Sequence, residues 1–418
     1  MPSSITRRQV LRSAGGAAAC VFIGPARCAP AKPPKIDVRE TKIISRQPAR
    51  YHGWPTLTRR SNGELLVVCS GGREAHVCPF GRVELIRSDD DGKTWSDARA
   101  IYDGPLDDRD AGILETAKGT LLVTTFTSLA YEPILATAEK IEPGKPGAWS
   151  PERLRRWQAA RDRLTPTERK AKLGVWMFRS TDGGKTWSEP YDCLVSSPHG
   201  PIQLADGRLL YPGKDLWRPG TRVGVCQSAD DGRTWQWLAT LPTRPGDNAS
   251  DYHELHAVEA GGRLVLHLRN HNKTDNQETL QSESTDGGKT WSAPHAIGVW
   301  GLPSHLLRLR DGRLMMTYGH RRPPYGNQAR LSDDAGRTGE KRGQSPFAGT
   351  ARRVLRTNGD CPLFSPWSEP MIISGDGTDG DLGYPSTVEL PDGSLLTVWY
   401  ERLKTSPYAV LRQARWTC

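Results

Sequence analysis

The chain has no stretch of about 18 consecutive apolar residues, so nothing in it reads as a membrane-spanning helix. No set of cysteines and histidines has zinc-finger spacing. No basic patch is interleaved with aromatics, the footprint expected of a nucleic-acid binder. The sequence therefore calls for no metal, no cofactor and no nucleic-acid partner, and it is silent on oligomeric state. Acidic residues are missing altogether from the first 31 positions, which hold Arg7, Arg8, Arg12 and Arg27. The formal charge of +10 thus falls to about +6 for the remainder, a mild excess spread along the chain. Such an excess fits a solvated basic surface and also helps to attract an anionic substrate.

That acid-free start has an anatomy of its own. Thr6-Arg7-Arg8-Gln9-Val10-Leu11-Arg12 is a twin-arginine stretch, an apolar run covers 14–23, and Ala29-Pro30-Ala31 is a small-x-small cleavage site. Together they predict a bacterial twin-arginine export signal over 1–31, and hence a periplasmic or secreted protein whose folded part is 35–418. Six cysteines follow the signal: Cys69, Cys78, Cys193, Cys226, Cys361 and Cys418. An oxidising compartment would permit bridges, and Cys69 with Cys78 could staple the loop between them, but spacing alone does not choose a pairing.

What is abundant is punctuation. The 43 glycines and 32 prolines break the chain into short segments, which favours strands over helices, and 14 tryptophans supply a core. One phrase recurs: SDDDGKTW at 88–95, STDGGKTW at 180–187, SADDGRTW at 228–235 and STDGGKTW at 284–291. A worn copy, SDDAGRT, occupies 332–338, with Gly339 where the Trp is expected. A second phrase, a turn glycine before an apolar strand, occurs at Gly63, Gly119, Gly207, Gly262, Gly312 and Gly393. Its spacing sets a unit of 50–56 residues, twice lengthened by about 30, at 131–172 and 339–366. The first excess is rich in Glu, Arg and Ala and reads as helical; the second is basic and Gly/Ser/Pro-containing. Four short antiparallel strands per unit, six times over, predict an all-β fold: a six-bladed β-propeller with four-stranded antiparallel blades. The last unit lacks the hairpin phrase, and residues 35–45 are free to supply its closing strand.

With the S-x-D-x-G-x-T-W repeats in place, the chain resembles the sialidase (neuraminidase) superfamily, whose Asp boxes are this motif, over nearly all of 35–418. The resemblance implies a glycoside hydrolase acting on terminal, acidic sugars of glycans. It further implies retaining chemistry with a Tyr nucleophile, a Glu that polarises it, an Asp acid/base and three Arg that clamp a substrate carboxylate. Glu254 in Tyr-His-Glu-Leu, Arg269 in Leu-His-Leu-Arg-Asn and Tyr384 in Gly-Tyr-Pro-Ser match those elements, and Arg321 or Arg322 in Gly-His-Arg-Arg-Pro would be the third clamp.

Two elements depart from the pattern. Gly53-Trp54-Pro55 stands where the family carries Arg-Ile-Pro, so the first clamp Arg is missing. The loop at 71–79, where the acid/base Asp belongs, contains none; Glu74 or His76 could donate the proton there, and Arg73 could partly replace the lost clamp. The Asp107-Asp108-Arg109-Asp110 cluster is either a substitute acid, Asp110, with its own Arg109, or a structural salt-bridge network. His52, His199, His253 and His305 also fall on inner-strand positions, where a histidine can be a general acid, a sugar contact, a metal ligand or simply packed. Asp boxes occur in propellers that are not enzymes as well. A non-hydrolytic glycan-binding propeller and a His-dependent glycosidase or lyase therefore stay open beside the hydrolase.

Overall fold

A computed structural model describes residues 35–46, 49–218, 220–337, 366–406 and 408–418. The expected export signal, Cys361 and all but the last residue of the 339–366 excess lie outside them.

The described strands form six four-stranded antiparallel sheets, the blades of a six-bladed propeller. The first blade runs outward through Tyr51–Arg59, Leu65–Arg73, Arg82–Ser88 and Arg99–Tyr102. The inner strands of the other five are Asp107–Glu115, Ile202–Gln203, Tyr252–Ala260, Ser304–Arg308 and Leu382–Glu389. The last blade takes its outermost strand from the other end of the chain: Asp37–Ile43 pairs with Ala409–Thr417 and closes the ring.

Second strands such as LMMTYGH (Leu314–His320) are buried on both faces, so they read as continuous apolar runs rather than alternating ones. The apolar cores lie between blades. Leu66, Val68 and Leu85 of the first blade meet Ile113, Val123 and Phe178 of the second. Leu57, Val67 and Trp95 of the first meet Leu396, Val398 and Tyr400 of the sixth, so the seam of the ring is packed like its interior. Gly112 is required by that closeness: a Cβ there would lie 2.4 Å from the backbone nitrogen of Gly200 in the next blade.

The Asp boxes clasp hairpins at the outer turns. Asp90 Oδ1 accepts from the Ser88 hydroxyl and from Thr94 N–H, both at 2.8 Å, and Oδ2 accepts from the Thr94 hydroxyl at 2.7 Å. Asp182, Asp230 and Asp286 repeat these bonds in their blades. The worn copy keeps Ser332 bonded to Asp334, and Trp367, far along the chain, enters the core between the fourth and fifth blades.

After its second strand the second blade carries three helices, α1 (Tyr131–Ala138), α2 (Pro151–Asp162) and α3 (Pro166–Ala171). Ser150 and Thr165 cap the latter two with proline at the first turn. Cys69 and Cys78 are both buried and unbridged, so no disulfide staples that loop.

Candidate active site

Each inner strand pairs with its neighbour regularly near the turn, and four are interrupted before it. The register slips between Gly53 and Thr56, Arg109 and Gly112, His253 and His256, and Gly383 and Ser386. At each slip one residue takes a positive φ: Trp54 (54°), Asp110 (42°), Glu254 (46°) and Tyr384 (53°). Each stands five positions before the last common pair of its hairpin, Arg59↔Leu65, Glu115↔Leu121, Glu259↔Leu264 and Glu389↔Leu395, so the four are structurally equivalent. The same count in the third and fifth blades, from Gln203↔Leu209 and Arg308↔Leu314, arrives at Pro198 and Pro303. A bulge of this kind re-aims a side chain, and a non-glycine residue in the left-handed region costs about 1–3 kcal/mol that the surrounding fold must hold.

All four bulge residues line one pocket of about 330 Å3 at the end of the channel where the inner strands begin. The Tyr384 hydroxyl donates to Glu254 Oε1. Arg269 Nη1 donates to both Glu254 oxygens, at 2.9 and 2.7 Å. Burial opposes ionisation of Glu254, but the Arg269 charge and the two sets of hydrogen bonds win and hold its carboxyl down at about 2. Burial, and then the facing Glu254 charge, push the Tyr384 phenol well above its ordinary value, so it keeps its proton. Asp110 behaves oppositely to Glu254: burial outweighs the adjacent Arg109 and lifts its carboxyl to about 7. Arg109 and Arg321 complete the cationic wall. Arg321 is anchored by Nε to the Leu382 carbonyl at 3.0 Å, with its Cζ 5.7 Å from the Tyr384 ring centre. Arg109 lies over the indole of Trp54, Cζ 4.5 Å from the ring centre, and its ion pair with Asp107 is 3.9 Å long.

His76 lines the pocket too, from the loop after the first blade's second strand. The other residues the sequence singled out are placed elsewhere. Arg73 is fully buried, with Nη1 and Nη2 on the two oxygens of the fully buried Asp107 at 2.6 and 3.1 Å; it is a structural ion pair, not a clamp. Glu74 turns outward to Arg153 and Arg156 of α2, at 2.8 and 2.9 Å. Arg322 stacks on Trp300, Cζ 4.3 Å from its ring. His253 lies 3.3 Å from Lys214 Nζ, outside the residues that line the pocket. The Asp107–Asp110 cluster is therefore divided: Asp107 is structural, whereas Arg109 and Asp110 face the pocket.

His199 and His305 belong to a different cavity, of about 610 Å3, walled by the later residues of the inner strands. There they meet His256, with ring centres 4.6–5.2 Å apart. His256 Nδ1 accepts the Leu306 N–H at 2.9 Å, so the neutral ring carries its proton on Nε2 and offers no lone pair there. Among the described residues no cluster of His, Cys, Asp and Glu is arranged to hold a metal ion.

Sequence reasoning missed four residues: Asp381, whose Oδ1 lies 2.8 Å from His76 Nδ1; Phe126 and Ser128, which line the pocket; and His256 of the second cavity. Trp54, which the sequence marks only by the absence of an arginine, is a wall of the pocket. Its only local signal was the departure from Arg-Ile-Pro.

A family model described as BNR repeat-like domain matches residues 157–397. Among curated proteins, a sialidase of Bacteroides fragilis is 26% identical over 255 residues, 57% of this chain and 42% of that protein. A xyloglucanase of a Paenibacillus species is 30% identical over 174 residues, 36% of this chain and 16% of that protein. The matched regions thus span less than half the length of either relative. Among solved structures, a protein of unknown function from Dyadobacter fermentans superposes with a TM-score of 0.67 at 21% identity, covering 92% of this chain and 99% of that one. The intramolecular trans-sialidase of Ruminococcus gnavus gives 0.55 at 13% identity, with 92% and 97% covered. By its repeats, its six blades and these likenesses, the chain belongs to the BNR repeat-like family, within the sialidase superfamily.

Proposed function

We propose that this protein is an exported glycoside hydrolase that releases terminal acidic sugars, of the sialic-acid type, from glycans, with Tyr384 as its nucleophile. The observation that carries the reading is the Tyr384–Glu254–Arg269 chain of hydrogen bonds in a pocket walled by Arg109 and Arg321. An anomeric carbon that bears a carboxylate repels an anionic nucleophile, and a neutral phenol avoids that repulsion. As the Tyr384 oxygen bonds to the anomeric carbon, its proton passes to Glu254 and the glycosidic C–O bond breaks. Glu254 held at about 2 beside Arg269 is a feeble base. A substrate carboxylate that engages Arg269 competes for the guanidinium charge and raises the proton affinity of Glu254, so the base is activated when substrate arrives. Arg109, delivered from the second blade, fills the place of the clamp that the first blade lacks.

Export to the periplasm or beyond is supported by the twin-arginine stretch, the apolar run and the small-x-small site at 1–31. The histidine cluster sits in the other cavity, which weighs against its use as the catalytic centre.

The test is covalent trapping. A 2,3-difluorosialyl fluoride should label the protein, and peptide mass spectrometry should place the sugar on Tyr384. Turnover of an aryl α-sialoside by Tyr384→Phe at the parental rate would remove the nucleophile. A parent that retains sialosides on a glycan array without cleaving them would instead be a binding module.

A further inference from the structure

The loop that follows the first blade's second strand contains no aspartate, yet it reaches the pocket. His76, at its tip, is nearly half exposed and lines the same pocket as Tyr384. Its Nδ1 is 2.8 Å from Oδ1 of Asp381, which lies three residues before Tyr384 where the chain enters the last blade. Asp381 is held in place by two further donors, the hydroxyls of Tyr51 at 2.9 Å and Tyr400 at 3.2 Å. Burial opposes its ionisation, but these hydrogen bonds and His76 keep the carboxyl below its ordinary value. A carboxylate only accepts, so the His76 proton on this side sits on Nδ1 and the tautomer is fixed. Nε2 makes no hydrogen bond among the described residues, and it is the nitrogen left for the pocket. The ring is further steered by the edge of Trp54, 4.9 Å between centres, and its backbone carbonyl is held by Arg73 Nη2 at 3.0 Å.

We propose that His76 is the proton donor and acceptor of this site and that Asp381 is its positioning residue, the pair standing in for the carboxylic acid absent from the loop. The proposal rests on the glycosidase reading and deepens it. In the first step the glycosidic oxygen leaves with the bonding electrons and takes the proton from Nε2 of the imidazolium, while the Tyr384 proton goes to Glu254. In the second, neutral Nε2 takes a proton from water as its oxygen attacks the anomeric carbon. The Tyr384 C–O bond breaks as that bond forms, and the phenolate recovers its proton from Glu254. Asp110, on the second blade beside Arg109, is left to hydrogen-bond the sugar. The charged and titratable groups around the pair are Asp381, Tyr51, Tyr400 and Arg73, with Arg402 acting on Asp381 and Arg109 and Arg321 across the pocket.

A leaving-group comparison tests it. The 4-nitrophenyl α-sialoside expels a phenolate and needs little help; 3′-sialyllactose expels an alkoxide and needs a proton. His76→Gln should lower kcat/KM on sialyllactose by about 100-fold or more while lowering it on the aryl glycoside by less than about 10-fold. Asp381→Asn should show the same substrate split. Thermal melts of both variants separate these effects from loss of fold. Equal losses on both substrates, or the leaving-group split appearing in Asp110→Asn and not in His76→Gln, would overturn the assignment and leave the Tyr384 reading intact. A parent inert on both substrates would take down the glycosidase reading and this proposal with it.

Discussion

Arg269 Nη1 donates to both oxygens of Glu254, and the two side chains are only 16% and 17% exposed. Removing one partner leaves the other's charge poorly solvated, which is costlier than losing an exposed pair. Arg269→Ala should therefore destabilise the fold by about 2 kcal/mol, beyond its effect on binding. Adding Glu254→Gln to that variant should restore part of the loss, though none of the activity. Thermal melts of the two single variants and the double variant close the cycle; additive losses would mean that the two residues are not coupled.

The first blade contributes an indole platform to the site. Trp54 is 1% exposed and carries Arg109 on one face, with Arg73, its Cζ 4.9 Å from the ring centre, also against it. Among the described residues the ion pair of Arg109, to Asp107, is 3.9 Å long, so its guanidinium is available to an anion. Arg109→Ala should raise KM for an acidic glycoside by about 10-fold or more with little change in kcat, as expected for loss of uniform binding. Arg109→Lys should recover only part of it, because a single ammonium cannot present a planar fork. Trp54→Ala should do the same to KM and also cost about 3–5 kcal/mol in stability, the price of a large buried cavity. Steady-state kinetics on one acidic and one neutral aryl glycoside decide it: equal effects on both would show that Arg109 does not read charge.

His199, His256 and His305 set an acid limit on the fold. Burial pushes His305 down to about 3, and burial with mutual repulsion pushes His199 and His256 well below their ordinary value. In the unfolded chain each would take up a proton near pH 6.5. Between that pH and the folded values the unfolded state binds more protons, so stability is full above about 6.5 and is lost as pH falls. Each histidine contributes a slope of up to about 1.4 kcal/mol per pH unit. The melting temperature should fall steadily from pH 7 to pH 4.5. His199→Phe, which keeps the ring and removes the proton site, should flatten that fall; an unchanged slope would exclude the cluster as its source.

Much of this architecture was legible because it repeats. The Asp boxes and the turn glycines gave the blade count, and counting back nine from Gly119 and Gly393 lands on Asp110 and Tyr384, two of the bulge residues. Glu254 sits at eight because its hairpin turn, 260–263, is one residue shorter than the others. What could not be read is what two blades make together. His76 and Asp381 meet across 305 positions, and no local pattern records such a contact. Arg73 and Glu74 looked like site residues from the same loop, but partners elsewhere took them: Asp107 in the next blade and Arg153 and Arg156 on α2. Side chains three residues apart on one loop were divided between structure and chemistry by what each could pair with, and sequence spacing carries no information on that.

The helical excursion is tied to the loop that carries His76, and this gives it a role at the site. Trp157 of α2 is fully buried against Tyr131 of α1, Trp149, Phe80 and Cys78; two of these four, Phe80 and Cys78, belong to the loop between the first blade's second and third strands. Glu74 of the same loop adds its pairs with Arg153 and Arg156, which are too exposed to contribute much alone. The apolar anchor is therefore the stronger tie. Trp157→Ala should cost about 3–5 kcal/mol, but locally, since this cluster is separate from the six cores between blades. Limited proteolysis should then cut within 139–165 while the main thermal transition stays near its parental temperature. If the loop depends on that anchor for its position, activity on a poor leaving group should fall with it, because a proton donor displaced by about 1 Å loses its in-line reach. A single lowered transition with no local cleavage would mean that the helices fold as one unit with the blades.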